Sequence, residues 1–272
     1  MTRVRIVYSD LDGTMVGPGG CFFRAEDRLL TLAPARALIA LHEAGIALVL
    51  VSGRSRASLS EAANIFGADG YIGEMGAVLA WNHGREGAVL RGAMPDDLAG
   101  TPYDVAHELG AVDLLFGRYG ERLAYHDPWH EGHEADVMLR GNIPVDEAEA
   151  LLEGKGLGWL RLRDNGVLAG RAIPETGEPV HIYHLMPDGI TKGLGVATDL
   201  ARRGLQPDQA VAIGDSLSDL EMAPAVGRLY LTRNGLRGPA TAAAVGELPN
   251  VTVTAGPVGA GWTEAVLAAV AT

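Results

Sequence analysis

Apolar positions along this chain follow two regimes. RVRIVYS (3–9) reads as a strand, and PARALIALHEAG (34–45) follows as a helix with proline near its start and glycine at its end. IALVLVS (46–52) is almost wholly apolar, the pattern of a parallel strand buried on both faces, and RASLSEAANIFG (56–67) predicts a second helix. The alternation returns late, with helices over 192–204 and 218–226, strands over 210–215 and 228–232, and a closing helix over 261–271. Such alternation predicts an α/β fold built on a doubly wound parallel sheet. Between about residues 83 and 187 the pattern breaks into scattered glycines, charge, and most of the tryptophans and histidines, with strands expected at 158–164 and 179–186. An inserted α+β domain over 83–187 is expected there, within a core formed by 1–82 and 188–272. The alanine-rich stretch at 240–244 reads as helix, and no internal repeat interrupts the pattern.

Composition narrows the function classes. With 272 residues and 47% hydrophobic content the chain buries a sizeable core. A net charge of -12 argues against a nucleic-acid partner, because attraction to phosphate backbones is absent overall. The longest apolar runs fall well short of the ~20 residues that span a bilayer, and the N-terminus lacks a signal-peptide layout. No membrane partner is expected. Cys21, the single cysteine, excludes an internal disulfide and a cysteine-only metal cage and suits a reducing compartment, so a cytoplasmic location is expected.

In an open parallel sheet, ligands bind outside the carboxyl ends of the strands, which directs attention to three places. Asp10 and Asp12 follow the first strand, Ser52, Gly53 and Arg54 follow the second, and Gly214, Asp215 and Asp219 follow a late one. Four carboxylates converging on one edge repel each other unless a hard divalent cation with oxygen ligands, Mg²⁺ the natural candidate, offsets them. An EF-hand is excluded, since its loop needs glycine at the sixth position, where this chain has Met15. Taken singly, the serine-glycine turn and GDSLSD are also what ordinary helix caps look like; their joint occurrence in order is the informative feature. Lys192 adds a fourth element. Of 22 cationic Lys and Arg side chains only Lys155 and Lys192 are lysines. A compact ammonium sits beside a carboxylate and a phosphoryl oxygen where arginine's planar fork is too large. No phosphate-binding P-loop surrounds it.

With DLDGT (10–14), Ser52 in VSGRS, Lys192 in ITKG and GDSLSD (214–219), the chain resembles the haloacid dehalogenase superfamily of phosphotransferases. GEMGA (73–77) is similar to the E-N-G-A signature of its Cof-like and sucrose-phosphatase-like branch, which carries an inserted α/β cap of the second type after that signature. Met75 replaces the usual asparagine, and Ser218 stands where many members have asparagine. The resemblance implies a Rossmann-like core and a Mg²⁺-dependent phosphatase acting on a small phosphorylated metabolite, a sugar phosphate or related phosphomonoester, through an aspartyl-phosphate. Asp10 is then the nucleophile and Asp12 the general acid and base. Ser52 and Lys192 act in catalysis and, with Gly53 and Arg54, bind the phosphoryl group. Asp10, the Asp12 carbonyl and Asp215 hold the metal, while Asp219, the fourth acid of the metal cluster, orients metal-bound water or Lys192. The alternatives are a phosphomutase on sugar phosphates and a non-catalytic regulatory or binding protein on the same fold.

The middle of the chain is less informative. His126, His130 and His133 have helix-face spacing, but Pro128 between them favours a polar loop over a metal site. Trp129 and Trp159 are candidates either for stacking on a sugar or for core, His181 and His184 for the cleft or for packing beneath it, and Arg140 for a second anionic group on the substrate. Partners are expected to be limited to the small phosphorylated substrate, in a monomer or homodimer.

Overall fold

The computed structural model describes residues 3–173 and 176–272. The chain forms two compact units, one of Met1–Gly53, Ser58–Ala88 and Thr191–Thr272, the other of Arg54–Ala57 and Val89–Ile190. In chain order the elements are β1 (Ile6–Asp10), α1 (Ala33–Glu43), β2 (Ala47–Val51), α2 (Arg56–Phe66), β3 (Gly70–Gly73), β4 (Val78–Trp81) and β5 (Glu86–Val89). The second unit contributes α3 (Pro102–Glu108), α4 (Ala111–Tyr119), β6 (Leu123–Tyr125), β7 (Val137–Gly141), α5 (Val145–Glu153), β8 (Leu160–Ala172) and β9 (Pro179–Pro187). The chain then adds α6 (Lys192–Arg203), β10 (Ala210–Gly214), α7 (Leu217–Leu220), β11 (Arg228–Leu231), α8 (Pro239–Val245), β12 (Val251–Val253) and α9 (Val258–Val270) to the first unit.

In the first unit the strand order is β12-β11-β10-β1-β2-β3-β4-β5, parallel from β12 through β3 and antiparallel at the β3–β4 pair. β1 lies in the middle, Ile6 in register with Ala47 on one side and Ala210 on the other. All five of its residues are buried, as a parallel strand covered on both faces requires, the polar Ser9 and Asp10 standing at its carboxyl end. α9 and α1 cover one face, where Trp262, Val266 and Ala269 pack with Ala37 and Leu41. One expected helix is shorter than the sequence suggests: 218–226 becomes α7 and a separate 3-10 turn at Ala223–Ala225. Pro224 explains the break, because it lacks the N–H that a continuous helix uses. α9 also begins earlier than expected, at Val258 directly after Pro257.

The second unit is an antiparallel sheet, β6-β7-β9-β8. Its core joins Val137, Leu139, Tyr183 and Leu185 of the sheet to Val105, Val112, Leu115 and Leu152 of α3, α4 and α5. Along β7 the burial alternates with period two, so Met138 and Arg140 belong to the opposite face. Trp159 is core, whereas Trp129 is 63% exposed. β8 runs on well past residue 164, with register shifts between Asp164 and Val167 and between Val167 and Ala172. The 126–133 segment is a turn around Pro128 and not a helix, but it is not a solvated polar loop either, since His126 and His133 are buried. His133 and His184 each hold the fully buried Asp136 through Nδ1. Burial by itself would raise the Asp136 pKa, but the two imidazoles outweigh it and keep the carboxyl below its usual range. His184 therefore packs inside, while His181 donates from Nδ1 to Asp164 at 2.7 Å nearer the surface. Among the described residues no helix is long and apolar enough to cross a membrane.

Candidate active site

Three adjacent parallel strands deliver the chemistry to one edge. Asp10 is the last residue of β1 and pairs in register with Val51, so Ser52 follows β2 at the same level. Ile213 of β10 pairs with Ser9, so Asp215 lies just beyond Gly214 on the other side. Asp10 and Ser52 are buried, and Ser52 donates its backbone N–H to the Ile72 carbonyl at 2.9 Å. Asp12 is exposed. Leu11 between the two acids is 1% exposed and points into the core.

The ammonium of Lys192, at the N-terminus of α6, donates to Asp10 Oδ1 at 3.0 Å and to Asp219 Oδ1 at 2.6 Å. It is buried, which on its own would depress its pKa, but Asp10 and Asp219 outweigh burial and raise it, so it stays charged. Two turns further along the same helix face, Asp199 accepts from Tyr8 Oη at 2.5 Å, Trp81 Nε1 at 2.6 Å and Arg203 Nε at 2.7 Å. Tyr8 precedes Asp10 by two residues on β1. The strand and the helix are thus tied twice, at Tyr8–Asp199 and at Asp10–Lys192, which fixes the ammonium against the carboxylate.

Asp219 serves as an anchor. Its Oδ2 accepts from the backbone N–H groups of Asp215 and Ser216 at 2.9 Å each and from Ser216 Oγ at 2.7 Å, while Oδ1 takes Lys192. Burial works to raise its pKa, but Lys192 and these donors bring it below the usual range. Only glycine fits at 214, since a Cβ there would lie 2.2 Å from that of Asp219. Asp215 accepts from Thr14 Oγ1 and Asn234 Nδ2, both at 2.9 Å. The same Asn234 amide donates to the Gly13 carbonyl at 2.9 Å, and its Oδ1 accepts from Val258 N–H at 2.8 Å. Gly13 has φ +85° and packs so closely that a Cβ would fall 2.5 Å from Asp215 Oδ2.

Electrostatics mark the site as short of positive charge. Burial, above the repulsion of Asp219, raises Asp215 to about 7. Burial also lifts Asp10 well above its ordinary value, against the pull of Lys192, and the neighbouring carboxylates add to it. One carboxylate oxygen from each of Asp10, Asp215 and Asp219 lies within 4.8 Å of the others. Three acids against one lysine leave two negative charges over, and every donor is a hard oxygen, so the residues fit a divalent cation of the Mg²⁺ kind.

Of the residues singled out from sequence, Asp10, Lys192, Asp215 and Asp219 converge through direct contacts, with Ser52 on the neighbouring strand end. Gly53 lies directly after Ser52, and Arg54 groups with the second unit. Arg140 is on β7 of the second unit, where its guanidinium reaches the Asp127 carbonyl at 3.4 Å. Sequence reasoning passed over Asn234, Thr14 and Asp199. Thr14 was visible within DLDGT, whereas nothing local distinguishes the other two. In the GEMGA segment, Met75 has φ +59°, a left-handed conformation that asparagine adopts more readily than methionine.

Comparison with known proteins agrees with this geometry. The sequence profile of haloacid dehalogenase-like hydrolases matches residues 175–244, a span that includes Lys192, Asp215 and Asp219. A phosphoglycolate phosphatase of Methanospirillum hungatei is 28% identical over 225 residues, 82% of each chain. That of Methanoculleus marisnigri is 28% identical over 234 residues, 85% of each. Among solved structures, the Synechocystis sucrose-phosphatase in complex with sucrose and phosphate superposes with TM-score 0.65 at 18% identity, covering 99% of this chain and 98% of that one. A Thermoplasma acidophilum protein gives TM-score 0.65 at 15% identity, covering 98% and 99%.

Proposed function

We propose, for a chain that belongs to the haloacid dehalogenase superfamily and is a phosphoric monoester hydrolase, that it dephosphorylates a small phosphorylated acid or sugar, with 2-phosphoglycolate the first candidate. The observation that carries the chemistry is the pairing of one buried lysine with Asp10 and Asp219, while Asp12 stands exposed two residues from Asp10. The 28% identical relatives named phosphoglycolate phosphatase support the substrate.

Asp10 attacks phosphorus in line and becomes the aspartyl-phosphate. Its bond to Lys192 aims one oxygen and leaves the other for attack. Asp12 gives a proton to the leaving alcohol oxygen, then takes one from the water that hydrolyses the acyl phosphate. Ser52 and Lys192 bind the phosphoryl oxygens, and Lys192 balances charge as it moves. Asp10, the Asp12 carbonyl and Asp215 would hold Mg²⁺, which when bound neutralises the phosphoryl charge. Thr14 and Asn234 orient Asp215, and Asp219 holds Lys192.

The test is hydrolysis of an aryl phosphate with and without Mg²⁺ by the parent and by Asp10→Asn, followed by a panel in which 2-phosphoglycolate competes with hexose phosphates. The variant should lose at least about a thousandfold in kcat, the scale expected when a covalent nucleophile is removed. Parent-like turnover by Asp10→Asn refutes the mechanism. A specificity constant for 2-phosphoglycolate no higher than for hexose phosphates refutes the substrate alone.

A further inference from the structure

The second unit holds a cavity of about 330 Å³, a size suited to a small metabolite, that the proposed chemistry does not use. Three arginines line it, from three different places: Arg122 just before β6, Arg140 on β7 and Arg171 near the end of β8. Leu168, Ile173 and Val180 supply an apolar wall, and among the described residues that line it Glu121 is the one acid.

Arg118, Arg161, Arg202, Arg203 and Arg237 each meet a carboxylate. Among the described residues, none of Arg122, Arg140 and Arg171 does. Arg122 donates to the Asn142 carbonyl at 2.8 Å and Arg140 to the Asp127 carbonyl at 3.4 Å, contacts that orient each guanidinium while most of its five N–H donors stay available. In a protein of net charge -12, three guanidiniums gathered on one concavity against a single acid among the described lining residues leave those residues a surplus of about two positive charges.

We propose that this cavity is a binding site for a small, multiply charged anion, a phosphorylated or polycarboxylic metabolite whose charged groups meet the guanidiniums and whose carbon body lies on Leu168, Ile173 and Val180. Planar guanidinium forks match carboxylate and phosphate oxygens in pairs, which gives the site both charge and direction. The site is separate in its residues from Asp10, Lys192 and Asp215, and it stands whether or not the proposed catalytic reading does. The anion is either the enzyme's own substrate or a separate regulatory metabolite, since both classes carry the same groups.

Calorimetric titration of the metal-free full chain with citrate at low ionic strength tests this. Without a metal the carboxylate-rich catalytic cluster repels an anion, so binding reports the arginine cavity. The parent should bind citrate below about 1 mM, and Arg171→Gln, Arg122→Gln and Arg140→Gln should each weaken it by about tenfold or more, the scale of one charge-assisted contact. Arg228→Gln, an exposed arginine of the first unit, should bind as the parent does. Among the described residues the Arg171 side chain has no hydrogen-bond partner, and an unchanged thermal midpoint of Arg171→Gln confirms that it folds. No citrate binding up to about 10 mM, or parent-like binding by both Arg171→Gln and Arg122→Gln, overturns the proposal. Repeating the titration with saturating 2-phosphoglycolate separates the sources: displacement of citrate assigns the cavity to that metabolite, and simultaneous binding assigns it to a distinct effector.

Discussion

Replacing Lys192 with methionine removes one charge and keeps the length of the side chain. Lys192 is 3% exposed and its ammonium meets Asp10 at 3.0 Å and Asp219 at 2.6 Å, so the substitution leaves buried acids facing each other with no cation between them. Breaking a buried ion pair in this way costs about 3–5 kcal/mol. For a cooperative unit of this size about 2–4 °C is lost per kcal/mol, so the metal-free variant should melt about 6–20 °C below the parent near neutral pH. The pH dependence has a definite sign. Asp10 and Asp215 already sit above their unfolded values, and in the variant Asp219 loses the cation that holds it down. A carboxyl with a raised folded pKa binds more protons folded than unfolded, so its presence costs stability as pH climbs from about 4 through the folded value. The deficit relative to the parent should therefore be small near pH 5 and full near pH 8. Mg²⁺ should recover part of it by occupying the space among the acids. Thermal unfolding followed by far-UV circular dichroism, in chelator and in Mg²⁺, reads all three. A variant in chelator melting within about 2 °C of the parent at pH 8, or a larger deficit at pH 5 than at pH 8, refutes the view that the lysine compensates the cluster.

Lys192→Arg keeps the charge, but a planar fork does not fit where a point donor meets two carboxylates. The kcat of aryl phosphate hydrolysis should fall about a hundredfold, and a near-parent rate would show that charge alone suffices. Because Asp215 is raised to about 7, protons should compete with the cation below that pH. Calorimetric Mg²⁺ affinity should drop between pH 8 and pH 6, and a flat profile would exclude Asp215 as a titrating ligand. Gly13→Ala forces a Cβ toward Asp215 Oδ2 at a backbone angle alanine disfavours. It should weaken Mg²⁺ binding about tenfold and cost about 1–2 kcal/mol in denaturant unfolding; parent-like values for both would mean the loop relaxes freely.

The central parallel strands were legible because they are buried on both faces, so ALVLV is apolar throughout and IVYSD is apolar up to the polar residues at its carboxyl end. β3, β4 and β12 are only three or four residues long, too short for periodicity to separate them from loop. β8 escaped in part because its far half is exposed and irregular, with no buried face to imprint an alternation. The positions after the strands carried the acids in plain view, since topology alone sends those positions to one edge. What the tertiary structure decided is which atom meets which. Lys192 and Asp10 lie 182 residues apart, and Thr14 and Asp215 201 apart, so their pairing depends on how α6 and β10 pack beside β1. Asp215 and Asp219 look alike in GDSLSD, yet backbone N–H groups and Lys192 claim both oxygens of Asp219, while Asp215, the less buried of the two, is steadied from the side by Thr14 and Asn234. Sequence sets which residues reach an edge through local geometry and burial. Hydrogen-bond direction, desolvation and mutual charge act only across assembled distances, so the division of labour among those acids belongs to the folded molecule.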